Sequence, residues 1–169
     1  MSETLYFAYG SNINLNQMAV RCPDAKVVEP AVLEGYKLLF RGNGSSFGVA
    51  TIAPKEGSQV QGLLWKLTPY CELSLDIYEG SPRLYEKQAI MLHTKSGKQV
   101  SAMVYVMTRE RERMPSIPTR SYYIGILEGF QQNGLPENSL EQALNNLIRE
   151  QRGMERPKHK RKENDHYER

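Results

Sequence analysis

Glu79 stands where a carboxylate is poorly placed. It falls in the last turn of a helix predicted over residues 69–79, where the carbonyl end disfavours negative charge by about 0.3–1 kcal/mol. Its sequence neighbours Ile77, Tyr78, Leu84 and Tyr85 are mostly apolar, and no base follows before Arg83. Both effects raise its pKa. A carboxyl group that titrates near neutral pH takes up and returns a proton, which is the requirement of general acid–base catalysis. The competing interpretation is an exposed glutamate at a helix end.

A second stretch has chemistry of another kind. Residues 5–9 are aromatic and aliphatic, as a buried strand requires, and Gly10, Ser11 and Asn12 follow. Gly10 lets the chain turn sharply and lie bare against its surroundings. Asn12 or Asn14 then serves as a helix N-cap, and Asn14 with Gln17 has the spacing of a capping box. Successive amides at such a strand–turn–helix junction point into one hollow and favour a carboxylate, a phosphate or an oxyanion. An ordinary turn is the competing interpretation.

Other chemistries find little support. His159 and His166 lie near the end of the chain, leaving His93 alone in the body, where it reads as the partly exposed end of a hairpin strand. No cluster has the spacing of metal ligands, so no metal is expected. Cys22 and Cys71 are too few for a disulfide framework and are expected as reduced, buried thiols of a cytoplasmic protein. No run approaches a membrane span, and no leader is expected from the first residues. Residues 152–169 hold seven Lys/Arg and four Asp/Glu, which leaves fifteen of each elsewhere in the 169-residue chain. The net charge of +3 thus belongs to the tail. A solvated tail explains it more simply than a nucleic-acid contact, so nucleic acid is not expected as a partner.

The elements that must position Glu79 and the 10–12 turn follow from periodicity. Strands are predicted over residues 5–9, 25–33, 36–41, 47–53, 60–67, 84–94 and 99–107, with turns at 54–58 and 95–98 and Gly62 as a bulge. Pro30 makes the second strand an interrupted or edge strand. Helices are predicted from Asn14 to Val20, over 69–79, over 119–132 with Tyr123, Ile126, Leu127 and Phe130 on one side, and over 139–149. In the 69–79 helix Thr68 is the N-cap, Gly80 the stop, and Cys71, Leu75 and Tyr78 recur at helical spacing with Leu73 and Ile77 alongside. About seven strands and four helices make an α+β fold with a mixed, mostly antiparallel, strongly curved sheet. One domain over residues 1–151 and a basic, disordered tail over 152–169 are expected.

With these stretches placed, the chain resembles the γ-glutamylcyclotransferases of the AIG2-like superfamily. Residues 6–12, Tyr-Phe-Ala-Tyr-Gly-Ser-Asn, are similar to that family's substrate loop. Residues 48–52, 60–65, 75–80 and 133–136 match further family segments in order, the third of them carrying Glu79. Ile13 replaces a common leucine. The resemblance implies a small barrel-like sheet surrounded by helices, a cavity at one end and no cofactor. It implies release of 5-oxoproline from a small γ-glutamyl substrate, with Glu79 as general acid and base. Tyr9, Gly10, Ser11, Asn12, Ile13, Tyr85 and Tyr122 would bind substrate, and Tyr105, with Tyr85 and Tyr122, would cover it or orient Glu79 through a hydroxyl. Tyr9, Tyr85, Tyr105 and Tyr122 could equally be core aromatics. The leaving amine is left open, since loops 42–47 and 108–118 would shape that side. Glutathione-specific relatives carry a different first loop. A homodimer and a non-catalytic binding or adaptor role also remain open.

Overall fold

Two long strands carry most of the sheet in the computed structural model, which describes residues 3–42, 47–109 and 114–167. β2 (Lys26–Gly42) and β3 (Val49–Leu67) pair antiparallel from Lys26 opposite Lys66 to Arg41 opposite Val49. The alternation pattern divides each of these into two strands, but the backbone runs through. Gly35, at φ 79°, is the single residue between the pairs Glu34–Gln59 and Tyr36–Pro54, while residues 55–58 bulge from β3 with Gly57 at φ 80°. Both glycines reach the left-handed region without a Cβ clash, so turn chemistry produces a bulge in a continuous ribbon rather than a reversal. Pro30 lies inside β2, in register with Leu63 and just past a shift between Val27 and Glu29.

β1 (Thr4–Ala8) sits between β3, antiparallel with Thr4 opposite Leu67, and β5 (Gln99–Met107), parallel with Tyr6 opposite Met103. β4 (Tyr85–Thr94) forms the predicted hairpin with β5. The ring closes in the order β3-β1-β5-β4-β2 because β2 also pairs with β3. β2 and β4 meet through only two register pairs, Ala31–Thr94 and Val32–His93. Glu29 clips this seam by accepting from the amide and hydroxyl of Ser96 (2.7 and 2.9 Å), and the amide of Lys95 donates to the Pro30 carbonyl (2.9 Å). β6 (Met114–Pro115) adds a short strand beside Arg41 and Gly42. The sheet thus has six strands among the described residues, not seven: two predicted pairs merge and β6 is added. The α+β class and the mostly antiparallel barrel stand. Gly62 is in register with Ala31 and is no bulge. A Cβ there would meet the Ala8 carbonyl at 2.4 Å and the Phe7 ring at 2.5 Å, so the glycine serves close approach.

α1 (Leu15–Arg21) begins at Asn14, whose side-chain oxygen accepts from the amides of Asn16 and Gln17. The reciprocal half of a capping box is absent among the described contacts, because the Gln17 side-chain oxygen accepts from Arg21 instead (2.9 Å). α2 (Pro69–Glu79) has the predicted bounds, the Thr68 cap and a left-handed Gly80 at its end. Cys71 and Leu75 point into the core, but Tyr78, Leu73 and Ile77 are exposed. α3 (Arg120–Gln132) buries Ile126 and Phe130 and, through Gly129, the backbone of the 13–14 segment, with Tyr123 and Leu127 partly buried. α4 (Glu137–Tyr167) packs Leu140, Ala143 and Leu147 inward. Its backbone is helical past the predicted end at residue 149, to Tyr167. Loss of apolar residues removes packing, but Lys, Arg, Glu and Gln still favour helix locally.

Cys22 and Cys71 are buried and free. The Cys22 thiol donates to the Cys71 carbonyl, and burial pushes its pKa up to about 12. His93 is half exposed on β4. Among the described residues no helix is long and apolar enough to cross a membrane, and no group of His, Cys, Asp and Glu is arranged to hold a metal.

Candidate active site

β1 delivers its last residues to one mouth of the barrel, and α2 brings its last turn to the same place. The start of β3 passes over the end of β5 there, where the Met107 amide donates to Thr51 Oγ1 (3.1 Å). The result is a cavity of about 330 Å³. Gly10, Ser11 and Asn12 form one wall and Glu79 another, although they lie nearly seventy positions apart in sequence. Gly10 leaves room here: a Cβ would lie 3.1 Å from that of Ala50, a tight contact that would need a small shift to relieve.

The turn is a single 3-10 turn over Ser11–Ile13. With three residues per turn, successive side chains point about 120° apart. Ser11 and Asn12 therefore reach the cavity while Ile13 faces the core, fully buried. Ile13 does not line the cavity as the resemblance implies; it anchors the turn from behind. The carbonyls of Gly10 and Ser11 accept from the amides of Ile13 and Asn14 (both 3.1 Å). The Ser11 and Asn12 amides have no acceptor among the described residues, as at any helix start.

Asn12 is buried and joins four groups. Its Nδ2 donates to Tyr6 Oη (2.9 Å) and, at longer range, to Glu79 Oε1 (3.4 Å). Its Oδ1 accepts from Arg21 Nη1 (2.6 Å), and its carbonyl accepts from Trp65 Nε1 (3.0 Å). Arg21 Nη1 also donates to Ser11 Oγ (3.2 Å), and the guanidinium lies 4.0 Å above the Tyr78 ring.

Burial pushes the Glu79 carboxyl up to about 7, and Arg21 pulls it back. The direction is the one its helix position and apolar neighbours predict, with burial at the barrel mouth as the main cause. The cation that faces it is Arg21, from α1, not Arg83, the nearest base in sequence.

Tyr9, Tyr85, Tyr105 and Tyr122 all line the cavity, yet no hydroxyl among the described contacts reaches Glu79. Tyr9 donates to the Tyr105 carbonyl (2.5 Å) and Tyr105 to Asp76 Oδ1 (2.5 Å). Tyr85 donates to the Ala50 carbonyl (2.8 Å), and Tyr122 accepts from the Ala50 amide (3.0 Å). Thus Tyr85 and Tyr122 pin the start of β3 from both sides. Burial holds the phenols of Tyr6, Tyr9, Tyr85, Tyr105 and Tyr122 above the usual tyrosine range, so they stay neutral. Glu79 is the lining group that titrates near neutrality.

Tyr6, Val49, Ala50, Tyr78 and Leu84 also line the cavity and escape the sequence patterns. Tyr6 carries a usable signal, its place in residues 6–12, which resemble the family's substrate loop. Arg21 carries a weaker one, its place one turn after Gln17 on α1. Neither Val49 nor Ala50 differs in kind from core residues.

The chain is similar to known proteins in sequence and in shape. A family model described as "Gamma-glutamyl cyclotransferase, AIG2-like" matches residues 6–123. The Bos taurus protein named gamma-glutamylcyclotransferase is 35% identical over 139 residues, covering 78% of this chain and 72% of that one. The Mus musculus protein of the same name is 34% identical over 144 residues, covering 81% and 75%. A solved structure titled "Gamma-glutamyl cyclotransferase" superposes with a TM-score of 0.75 at 31% identity, covering 84% of this chain and 86% of that one.

Proposed function

The chain belongs to the gamma-glutamyl cyclotransferase, AIG2-like family, and from that premise we propose that Glu79 is its proton carrier and the 10–12 turn its substrate cradle. It is an enzyme of the γ-glutamylcyclotransferase type. The proposed substrates are γ-glutamyl amino acids or related γ-glutamyl amides.

The substrate supplies its own nucleophile, the α-amine, so neither a serine nor a cysteine is required. The Glu79 carboxylate takes a proton from the α-ammonium. The freed lone pair attacks the γ-carbonyl carbon, forming the ring C–N bond and a tetrahedral oxyanion. Protonated Glu79 gives its proton to the departing nitrogen as the exocyclic C–N bond breaks. The ring nitrogen sheds its second proton through the same carboxylate, and that proton ends on the released amine as ammonium. The products are 5-oxoproline and the leaving amine, and Glu79 is restored.

The cavity holds the γ-glutamyl chain folded toward its own carbonyl, which makes ring closure a proximity effect. The Ser11 and Asn12 backbone amides are donors available to the α-carboxylate or the oxyanion. The observation that carries this proposal is one cavity shared by a carboxyl group titrating near 7 and a turn with free amides. Purified protein with γ-glutamyl-alanine should release 5-oxoproline, and Glu79→Gln should stop release while leaving the circular dichroism spectrum intact. Undiminished turnover in that variant would overturn the role of Glu79.

A further inference from the structure

We propose that Arg21 is a positioning residue for this site: bonded to Asn12 and seated on Tyr78, it fixes which end of the Asn12 amide faces Glu79. This inference rests on Glu79 as the proton carrier.

A guanidinium donates and never accepts. Arg21 Nη1, 2.6 Å from the Asn12 side chain, therefore requires the carbonyl end of that amide. The NH2 end is turned to the other side, toward Tyr6 Oη and Glu79 Oε1. Without the guanidinium the orientation rests on the 3.4 Å contact to Glu79 alone, because Tyr6 Oη can donate to Oδ1 as readily as it accepts from Nδ2, and the reversed amide would set Oδ1 against the Glu79 carboxyl. Arg21 is itself held at three points: Gln17 Oε1 accepts from Nη2 (2.9 Å), Ser11 Oγ accepts from Nη1, and the plane stacks on the Tyr78 ring. A flexible arginine would not need these restraints to serve as a surface charge. The stack also ties α1 to the turn of α2 that presents Glu79.

The charge acts in the same direction as the geometry. The groups facing Glu79 are Arg21 from α1, Asn12 from the 3-10 turn and the phenols of Tyr6, Tyr9, Tyr85, Tyr105 and Tyr122, which are neutral. Arg21 is thus the cation that offsets the burial of the carboxylate. Loss of the charge and reversal of Asn12 both favour the protonated carboxyl.

The test is the pH profile of kcat/KM with γ-glutamyl-alanine for the parent, Arg21→Gln and Arg21→Lys, run beside Glu79→Gln. In Arg21→Gln the acid limb should move up by about half to one pH unit, with a loss of about three- to tenfold at pH 6 that shrinks by pH 9. A folding defect lowers every point alike and moves no limb. Arg21→Lys keeps a cation but loses the planar fork. Its acid limb should stay within about 0.3 units of the parent, while its kcat at the optimum falls about threefold or more. An Arg21→Gln limb that coincides with that of the parent overturns the inference, as does an Arg21→Lys kcat equal to the parent's. Should Arg21→Gln fail to fold, the lysine variant alone decides. An inactive Glu79→Gln beside unmoved Arg21 profiles refutes the role of Arg21 only; an active Glu79→Gln refutes the carrier and this inference with it.

Discussion

The raised pKa of Glu79 has a consequence for stability that is independent of turnover. A carboxyl at about 7 in the folded protein and 4.5 in the unfolded chain binds its proton more tightly when folded. Its contribution is therefore fully favourable below about pH 4.5 and is lost as pH rises through about 7. The difference of the two values corresponds to at most about 3 kcal/mol, and partial solvent access reduces this to about 2 kcal/mol. Glu79→Gln removes the titration and keeps the shape. At pH 8.5 the variant should be more stable than the parent by about 2 kcal/mol, which for a chain of this size is about 4–8 °C in Tm. The gap should close as pH falls toward 4.5. Calorimetry or urea unfolding at four pH values between 4.5 and 8.5 reads this directly. With Glu79 as the proposed proton carrier, kcat/KM should rise with unit slope up to about pH 7, and fall again above the pKa of the substrate amine, at or above about 8. Equal stability of the two proteins at pH 8.5, or a parent that gains on the variant as pH rises, would refute the placement of a buried, titrating carboxyl at this mouth.

Three further substitutions probe the frame of the site. Gly62→Ala drives a methyl into the Ala8 carbonyl and the Phe7 ring, and should cost about 3 kcal/mol or more in a urea titration. Tyr122→Phe strands the Ala50 amide at the cavity wall; a loss of about 1–2 kcal/mol is expected, with kcat/KM reduced and its acid limb unmoved. Thr68→Ala deletes the side-chain cap on the Cys71 amide, far from the cavity, and should lower stability by about 1 kcal/mol with kcat/KM of the folded protein unchanged.

Local chemistry explains what could be read without coordinates. The helix from Pro69 to Glu79 is bounded by a threonine cap and a left-handed glycine, and both signals act within a few residues. The β4–β5 hairpin and the Asn14 cap are legible for the same reason. The strands of the β2–β3 ribbon are not, because glycines at 35 and 57 and the prolines at 30 and 54 mark turns and bulges alike; only the partner strand decides between them. Within the site, Gly10, Ser11, Asn12 and Glu79 follow from the resemblance and from the unfavourable position of a carboxylate at a helix end. Ile13 does not line the cavity, because a 3-10 turn rotates it away from its two neighbours. Arg21 is illegible from composition: its meaning comes from α1 lying beside the end of α2, a contact between residues nearly sixty positions apart. Tyr78 reads as core by helical spacing, whereas it serves as the exposed platform for that arginine.

Two joins of the barrel are thin, β2 to β4 and β1 to β5, and they are where it can yield. The other three joins are long ladders, whereas β2–β4 rests on two register pairs with the Glu29 clip and β1–β5 on the single pair Tyr6–Met103. Opening between Ala31 and Thr94 would admit water at residues that do not line the candidate cavity. The protein can loosen its hoop without spilling the contents of its cup.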